Sequence, residues 1–330
     1  MPESGEQHRT AAAYASRVGR VRVRAHAKIN LCLHVGQPEP ATSEKPGWHR
    51  VHTHMHAIDL HDDIILTRVP QHGPINHRVS WVSTDNHESP VEWPIDSDLA
   101  VRALRALEAH TGQTLAVEIV VRKDIPAGGG LGGGSSDAAA VLIGVNLLCN
   151  LHLNEHTLQQ IALQLGSDVA FFVDMDRARH GRHDADQLCL ETTPRPAIVS
   201  GFGGTIERTD RVHGAITLII PSFGCNSAEV YHAFDAITPQ SHVLLPCQID
   251  NPSFSYHTIR NDLEGAACHV HPELRTMLSM MRRQGISCYL TGSGSTIVAH
   301  RDLNDIAFAA ISQQHRALWK DTRRIGANLC

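Results

Sequence analysis

The chain has 330 residues, of which 42% are hydrophobic and 19% charged, a composition typical of a folded protein rather than a disordered one. Its formal net charge of −5 with neutral histidine argues against a general nucleic-acid-binding surface, and its apolar runs are shorter than the roughly 18 residues that a membrane span needs. We therefore expect neither nucleic acid nor membrane as a partner, and the length favours two domains.

Alternating apolar residues predict strands in the first half of the chain, and longer amphipathic stretches predict helices. Residues 1–19 are polar without periodicity and are expected to form a loose tail. The predicted strands of this half are 20–35, 48–60, 62–69, 79–85 and 115–125. The predicted helices are 96–111, 135–149 and 155–165, with Gly112 and Gly166 as stop signals.

The second half repeats this mixture after a patternless segment. Residues 174–195 are charged and rich in histidine, and we interpret 181–195 as a linker or inserted loop. The predicted strands that follow are 196–202, 215–221, 286–292 and 295–301. The predicted helices are 227–234, 261–270, 272–284 and 302–315. Strands first and helices after, in two blocks, predict an α+β protein with an N-terminal domain at 20–180 and a C-terminal domain at 196–330.

The eight cysteines show no CxxC spacing, which argues against a zinc ribbon or a thioredoxin-like motif. Most have apolar neighbours, as Cys32 and Cys288 do, and this suits buried free thiols. An N-terminal apolar segment of the secretory type is missing from the sequence. These features predict a cytoplasmic protein.

Three of the 24 histidines, His52, His54 and His56, alternate within a predicted strand. They should therefore point to one face of that strand. One interpretation is a metal site, and the other is a histidine-rich face turned towards solvent.

The stretch from Pro126 to Leu142 places six glycines in seven positions before an apolar helix. A dinucleotide fingerprint does not fit, because a second helix and no parallel strand follows. A P-loop does not fit either, because Ser135 stands where that loop needs lysine. A backbone phosphate site at a helix N-terminus remains, with a plain glycine hinge as the alternative. Ser135 and Ser136 are expected to cap the helix.

Several segments in the same order resemble the motifs of the GHMP small-molecule kinases. The glycine-rich stretch is similar to their second motif. The other matching segments are Ala25–Val35, Gly47–Thr53, Leu165–Val173, Asn261–Glu264 and Leu290–Ala299.

This resemblance implies a two-domain GHMP kinase fold, with an N-terminal domain like domain 2 of ribosomal protein S5 and a ferredoxin-like C-terminal domain. It implies ATP and Mg²⁺ as cofactors, and it leaves a homodimer open. The implied reaction is phosphorylation of the 2-hydroxyl of diphosphocytidyl methylerythritol in the non-mevalonate isoprenoid pathway. The alternatives are a homoserine or mevalonate type of kinase, and a catalytically silent nucleotide-binding protein on the same fold.

The resemblance also implies two catalytic residues. Asp168 matches the base that accepts the proton of the attacking hydroxyl, although an aspartate after Gly166 could simply cap a helix. Lys28 lies in an apolar strand, where a lysine is costly unless it is paired. We expect Lys28 to pair with Asp168 and to face the transferred phosphoryl group, the alternative being a lysine that extends from a strand edge to solvent.

The remaining expected site residues divide between the two ligands, and the metal ligands are not identified. The expected ATP-binding residues are Lys123, Pro126, Gly128, Gly129, Gly130, Leu131, Gly132, Gly133, Gly134, Ser135, Ser136 and Asp137. The expected substrate-binding residues are Asn30, Trp48, His49, Gly292 and Ser293.

Four residues depart from the family pattern as it usually stands. Trp48 replaces a tyrosine and could still stack on a base through its π face. Asp98 and Asp137 stand where asparagine is frequent, which puts hydrogen bonds to adenine in doubt. Gly204 replaces an acidic residue.

Overall fold

The protein is described by a computed structural model covering residues 19–71, 75–82, 88–184, 187–239, 242–247, 260–299, 312, 318–319 and 322–330. Its strands are β1 (Arg20–Pro38), β2 (His49–Arg68), β3 (Arg78–Val82), β4 (Glu88–Pro90), β5 (Val117–Lys123), β6 (Ala178–Asp184), β7 (Gln187–Thr192), β8 (Ala197–Gly201), β9 (Thr205–Arg208), β10 (Ala215–Ile220), β11 (Cys288–Leu290), β12 (Ile297–Ala299) and β13 (Arg323–Asn328). Its helices are α1 (Leu99–Thr111), α2 (Gly133–Leu148), α3 (Glu155–Leu163), α4 (Val169–Phe172), α5 (Ser227–Ile237), α6 (Glu264–Val270) and α7 (Pro272–Arg283).

The first of two units comprises residues 19–27, Leu60–Ile125 and Gly132–Arg195 where described. Its sheet has the order β4-β3-β5-β2-β1-β7-β6, to which β1 and β2 contribute the parts that belong to this unit. β5 runs antiparallel to β2 and parallel to β3. Helix α2 is apolar on all sides and buried from Ser136 to Leu148, as expected for a helix in the middle of a core.

The second unit comprises Lys28–Asp59, Pro126–Leu131 and the described residues from Pro196 onwards. It contains a four-stranded antiparallel sheet in the order β11-β12-β10-β13. Strand β8 pairs with the first part of β2 and with β9. The core of this unit joins apolar side chains of the sheet to those of α5, α6 and α7.

The α+β class is confirmed, and most predicted elements exist with shifted ends. The predicted strands 48–60 and 62–69 are one continuous strand, β2, because its side chains stay buried past the polar residues that suggested a break. Helix α1 begins at Leu99 rather than at residue 96, because Asp98 caps it with a side-chain bond to the Ala100 N–H. Strands β4, β9 and β13 were not predicted.

The interpretation of 181–195 as a linker or loop was wrong as regards secondary structure. β6 and β7 form an antiparallel pair there, and β7 continues the sheet by pairing in parallel with β1. Its charged residues hid an alternation that keeps Leu188 and Leu190 buried. The two units also cut across the predicted domain 20–180, since 28–59 and 126–131 group with the C-terminal half.

Two expected segments lie outside the described residues. They are the tail 1–19, apart from Gly19, and the helix 302–315, apart from Ser312. The described helices include none that is long and apolar enough to cross a membrane.

The expectation that Cys32 is a buried free thiol was wrong. Cys32 and Cys247 form a disulfide, with their Cα atoms 6.3 Å apart. The other six cysteines form no disulfide within the described residues, and Cys225, Cys268 and Cys288 are buried among them, as expected. Sequence spacing could not reveal the pair because 215 positions separate its members.

The interpretation of His52, His54 and His56 as a face turned towards solvent was also wrong. His54 and His56 are buried, and His52 is half-buried. His56 accepts a hydrogen bond from the Val212 N–H, and a ring nitrogen of His54 lies 3.1 Å from Thr209 Oγ1. Burial lowers the pKa of both His54 and His56 to about 4.

These two histidines predict an acid-sensitive fold. The unfolded chain binds protons at them near pH 6.5 and the folded chain only near pH 4, so their contribution to stability is lost as the pH falls through this window. The free energy of unfolding, measured by urea denaturation, should decrease by about 1.4 kcal/mol per pH unit for each histidine. His54→Gln should lower this slope, whereas His110→Gln, at an exposed position, should leave it unchanged; equal slopes in wild type and His54→Gln would contradict the assignment.

Candidate active site

The glycine-rich stretch begins with a loop whose carbonyl oxygens accept hydrogen bonds from neighbouring backbone. The N–H groups of Cys225 and Ser295 donate to Gly128 O at 2.9 and 3.1 Å, and that of Thr296 donates to Gly129 O at 3.2 Å. All these residues belong to the second unit. These backbone hydrogen bonds fix the loop in place, which argues against the alternative of a flexible glycine hinge.

Gly130 shows why the loop needs glycine. Its φ is +73°, in the left-handed region that side chains disfavour, and a Cβ at this position would overlap the carbonyl oxygen of Thr291. The glycines were expected to let a ligand approach the backbone. In the structure, Gly130 also lets two segments of the protein approach each other.

Helix α2 begins at Gly133 and not at Ser135. Its N-cap is Gly132, with φ at +71° and no side chain to bond the helix, so the expectation that Ser135 and Ser136 cap the helix was wrong. The Ser136 N–H donates to Gly132 O at 2.9 Å, which places both serines in the first turn. Ser136 is buried and Ser135 half-buried. The N–H groups at this end of α2 are the donors on which a phosphate site would depend.

Lys28 and Asn30 point to the same side of β1, as their spacing predicted. Lys28 is buried, and its Nζ donates to Asn30 Oδ1 at 2.6 Å. Asn30 Nδ2 donates to Thr53 Oγ1 at 2.8 Å, and the Asn30 N–H donates to Thr291 Oγ1 at 2.9 Å. The alternative of a lysine that reaches solvent from a strand edge does not apply, since Lys28 is 3% exposed. A buried amide thus orients a buried ammonium group.

Asp168 lies immediately before α4 and is half-buried. Its side chain makes no cap hydrogen bond to this four-residue helix. Capping therefore does not account for the residue. Lys28 and Asp168 belong to different units, and their pairing stays a prediction.

Trp48 and His49 are adjacent in sequence but have different surroundings. Trp48 is 50% exposed, meets Phe202 edge to face and has Lys45 Nζ 4.6 Å from its ring centroid. His49 donates through Nδ1 to Gly36 O at 2.9 Å, and its ring lies 5.0 Å from that of Tyr231. Trp48 does not close onto the core, so its indole remains available for stacking, whereas the hydrogen bond and ring contact of His49 fix its orientation.

Lys123 lies between two buried carboxylates of the first unit. Its Nζ donates to Asp62 Oδ2 and to Asp137 Oδ2, both at 2.6 Å. The other oxygen of Asp62 accepts the N–H groups of Asp124 and Ile125 at 2.6 and 2.8 Å. The backbone before the glycine-rich loop and Asp137, the fifth residue of α2, are thereby joined through one ammonium group.

This Asp62–Lys123–Asp137 cluster has one positive group for two acids. Burial by itself would lower the pKa of Lys123, but Asp137 and Asp62 outweigh it and raise that pKa above its ordinary value. Burial raises the pKa of Asp137 well above its ordinary value, and the charge of Asp62 adds to the rise. The hydrogen bond to Lys123 makes Asp137 part of this cluster, which suits it better than a free anion facing phosphate.

Asp98 is the other acidic residue that stands where asparagine is frequent in the family, and it also has a structural role. Its Oδ1 caps α1 through the Ala100 N–H, and its Oδ2 accepts a hydrogen bond from Trp93 Nε1 at 2.8 Å. Gly204 is exposed and lies in the turn between β8 and β9.

The turn that contains Gly292 and Ser293 is held by side chains of the second unit. Asn261 Nδ2 donates to the carbonyl oxygens of Leu290 and Gly292, at 2.7 and 2.8 Å. The hydroxyl groups of Ser227 and Ser293 lie 2.8 Å apart, within hydrogen-bond distance.

The structure thus brings Lys28 together with Asn30, and Lys123 together with Asp137. It adds four polar residues that sequence reasoning did not single out as site residues, namely Asp62, Thr53, Thr291 and Asn261. A signal existed for Asp62, since an aspartate within an apolar strand needs partners. Thr53 and Thr291 carry no such signal, because threonine is common in strands.

Gly130→Ala tests the close packing of the loop. The matched control is Gly112, which has φ +68° and no atom of the described residues within 4 Å of the place that a Cβ would take. Gly112→Ala should cost about 1–2 kcal/mol from the left-handed backbone alone. Gly130→Ala should cost about 1–3 kcal/mol more, because the methyl group must displace the Thr291 carbonyl. Urea denaturation measures the free energy of unfolding of both variants. Equal losses would show that Gly130 does not pack closely against the Thr291 carbonyl.

Lys123→Met tests the buried cluster. Removing the ammonium leaves Asp62 and Asp137 without their shared partner, and the free energy of unfolding should drop by about 3–5 kcal/mol. Arg105→Met, which breaks an exposed pair with Asp96, is the control and should cost less than about 1 kcal/mol. Similar losses for the two variants would mean that the buried cluster contributes no more than a surface pair.

Comparison with known proteins identifies the family of the chain. Residues 98–174 match the family described as GHMP kinases N terminal domain. The chain is 33% identical over 285 residues to a 4-diphosphocytidyl-2-C-methyl-D-erythritol kinase from Bacillus subtilis (strain 168), covering 84% of this chain and 87% of that protein. The expected fold is confirmed by the crystal structure of a 4-(cytidine 5'-diphospho)-2C-methyl-D-erythritol kinase, with a TM-score of 0.66 and 25% identity over 94% of this chain and 99% of the other.

A homoserine kinase from Cytophaga hutchinsonii shares the fold, with a TM-score of 0.59 and 15% identity over 94% of this chain and 95% of the other. That identity supports the fold alone, whereas the bacterial kinase above exceeds 30% identity over most of both chains. The chain therefore belongs to the 4-diphosphocytidyl-2-C-methyl-D-erythritol kinases, small-molecule kinases of the GHMP class that take their phosphate from ATP.

Proposed function

We propose that this chain transfers the terminal phosphoryl group of ATP to the 2-hydroxyl of 4-diphosphocytidyl-2-C-methyl-D-erythritol. The single observation that carries the mechanism is the buried Lys28, whose ammonium is oriented by Asn30 at 2.6 Å. A protein that only binds a nucleotide needs neither this lysine nor a base at Asp168, so the presence of both argues against the silent alternative. The substrate follows from the names of the relatives that cover most of the chain.

In this mechanism Asp168 accepts the proton of the substrate's 2-hydroxyl. At the same time the oxygen of that hydroxyl attacks the terminal phosphorus of ATP. Phosphoryl transfer depends on positioning and on stabilisation of charge more than on covalent chemistry with the protein. Lys28 supplies positive charge to the transferred group, and its bond to Asn30 limits the directions in which the ammonium can point. ADP leaves with the electrons of the broken bond.

The phosphates of ATP are assigned to the loop 126–131 and the start of α2, where Gly133 to Ser135 present backbone N–H groups. Support comes from the exposed Gly134 and the half-buried Ser135 in the first turn, which leave this end of the helix accessible. Lys123 acts here through the position of Asp137 and not as a free cation, because both its neighbours are carboxylates.

Mg²⁺ would be held mainly by the phosphates, as oxygen ligands suit it and it keeps several waters. The hydroxyl of Ser135 is an oxygen donor of the right kind in the first turn of α2. Asp137 does not fit as a ligand, since burial raises its pKa and Lys123 holds one of its oxygens. The ion would neutralise charge on the phosphates.

The cytosine ring is assigned to the exposed face of Trp48, where the π surface can stack on a base. The fixed ring of His49 beside it, and the turn at Gly292 and Ser293, complete the substrate-binding residues of the proposal. A cytoplasmic location and a homodimer remain predictions from the sequence.

The runner-up is a homoserine or mevalonate kinase, and the rival is a silent nucleotide-binding protein. Incubation with Mg-ATP and each alcohol in turn, with ADP release as the readout, separates them. We expect turnover with the diphosphocytidyl substrate. Turnover with homoserine or mevalonate instead would select the runner-up, and ATP binding without turnover would select the rival.

Asp168→Asn tests the proposed base. The amide cannot accept the proton, so kcat should decrease by about 10²–10⁴-fold while ATP affinity, measured by calorimetry, changes little. The exposed Asp176, which pairs with Arg195 at 3.1 Å, is the matched control, and Asp176→Asn should keep nearly full activity. Near-normal kcat in Asp168→Asn would remove this residue as the base.

A further inference from the structure

A second cluster of reactive side chains lies in the second unit and has no part in the proposed phosphoryl transfer. It consists of Cys32, His34 and Cys247, whose two sulfur atoms and one ring nitrogen all lie within 4.8 Å of one another. Cys32 and His34 are 7% exposed, and Cys247 is half-buried. Two sulfur atoms and an imidazole are the donors that zinc prefers.

The secondary structure explains how these donors meet. Cys32 and His34 are two positions apart on β1 and therefore share one face of the strand. Cys247 reaches them from the segment 242–247, where its N–H donates to His52 Nδ1 at 3.0 Å. His242 fastens the other end of this segment through a bond of 2.9 Å between its Nε2 and Val35 O.

His34 supplies the nitrogen donor of the cluster, and Nε2 is the ring nitrogen left for a metal, because the buried Nδ1 faces a carboxylate. The carboxylate of Asp262 lies 3.5 Å from this nitrogen and is itself held by the Val35 N–H at 3.1 Å. A carboxylate behind a histidine is the usual means of orienting a metal-binding imidazole.

We propose that Cys32, His34 and Cys247 form a zinc-binding site when the two cysteines are reduced. In the structure these cysteines are joined as a disulfide. A dithiol reductant supplies two electrons and two protons, converts the disulfide to two thiols and is itself oxidised to a disulfide. Zn²⁺ then displaces the two thiol protons and binds both thiolates and one nitrogen of His34, with a fourth position left for water or another donor.

The site is connected to residues of the proposed active site. Thr53 Oγ1 donates to Cys32 O at 2.7 Å and accepts from Asn30 Nδ2 at 2.8 Å, and Asn30 in turn holds Lys28. The ion would therefore fasten the segment 242–247 to the strand that carries Lys28. The cluster itself does not depend on the kinase reaction, and its test uses no activity.

The experiment uses cobalt(II) as a spectroscopic probe on the full chain. The protein is treated with a dithiol, freed of it without oxygen and titrated with Co²⁺. Because the chain has 24 histidines, total metal uptake is not informative, and the readout is the thiolate-to-cobalt charge-transfer absorption. We expect this absorption to saturate at one equivalent and to disappear when Zn²⁺ is added.

Variants distinguish this site from the other thiols. Cys32→Ser and Cys247→Ser should each lose most of the absorption, whereas Cys268→Ser, at a buried free cysteine outside the cluster, should keep it. His34→Gln retains both thiols and should weaken cobalt affinity by at least about tenfold. Circular dichroism checks that each variant is folded.

Three outcomes would overturn the proposal. One is a reduced wild-type protein without charge-transfer absorption, and another is full absorption in folded Cys247→Ser. The third concerns the thiols of the denatured protein, which should number six before reduction and eight after it. Six thiols after dithiol treatment would identify a permanent disulfide.

Discussion

One ammonium group between two buried carboxylates organises the first unit around the glycine-rich stretch. Lys123 cannot be solvated at 3% exposure, so its charge requires Asp62 and Asp137 close by. Asp62 also accepts hydrogen bonds from the backbone of Asp124 and Ile125, which leads into the loop, and Asp137 is the fifth residue of the helix that follows the loop. The region expected to bind phosphate is therefore set by charges that face away from solvent, and its own donors are backbone groups.

The second unit has a comparable cluster around the Lys28 ammonium. The side chain of Asn30 accepts a hydrogen bond from the Lys28 ammonium and donates one to Thr53. The backbone N–H of Asn30 donates to the hydroxyl of Thr291. Thr291 is also the residue whose carbonyl excludes any side chain at Gly130. Thr291 thus takes part both in the side-chain hydrogen bonds and in the close backbone packing. The glycines of the loop therefore allow close packing within the protein, in addition to the access to the backbone that a ligand would need.

Burial also changed the meaning of the histidines and cysteines. The side chains of His54 and His56 do share one face of the strand, but that face is turned towards the interior. There the two rings lie next to a hydroxyl group and a backbone N–H group. Cys32 and His34 use the same alternation on β1 to present two donors to Cys247. Alternation in a strand indicates which side chains share a face. Only the packing of that face decides whether these side chains are buried or exposed to solvent.

The sequence by itself determined the class of fold, most helices and strands, the family motifs and the shared direction of Lys28 and Asn30, because these depend on local periodicity and on residue types in order. It could not determine that β2 is continuous, that residues 178–192 form a strand pair, or that Gly132 rather than a serine begins α2. Those features follow from long-range pairing, as do the contacts of Asp62 with Lys123 and of Cys32 with Cys247. Only the tertiary structure brings such residues together, because burial of charge and thiol groups selects partners that no spacing along the chain encodes.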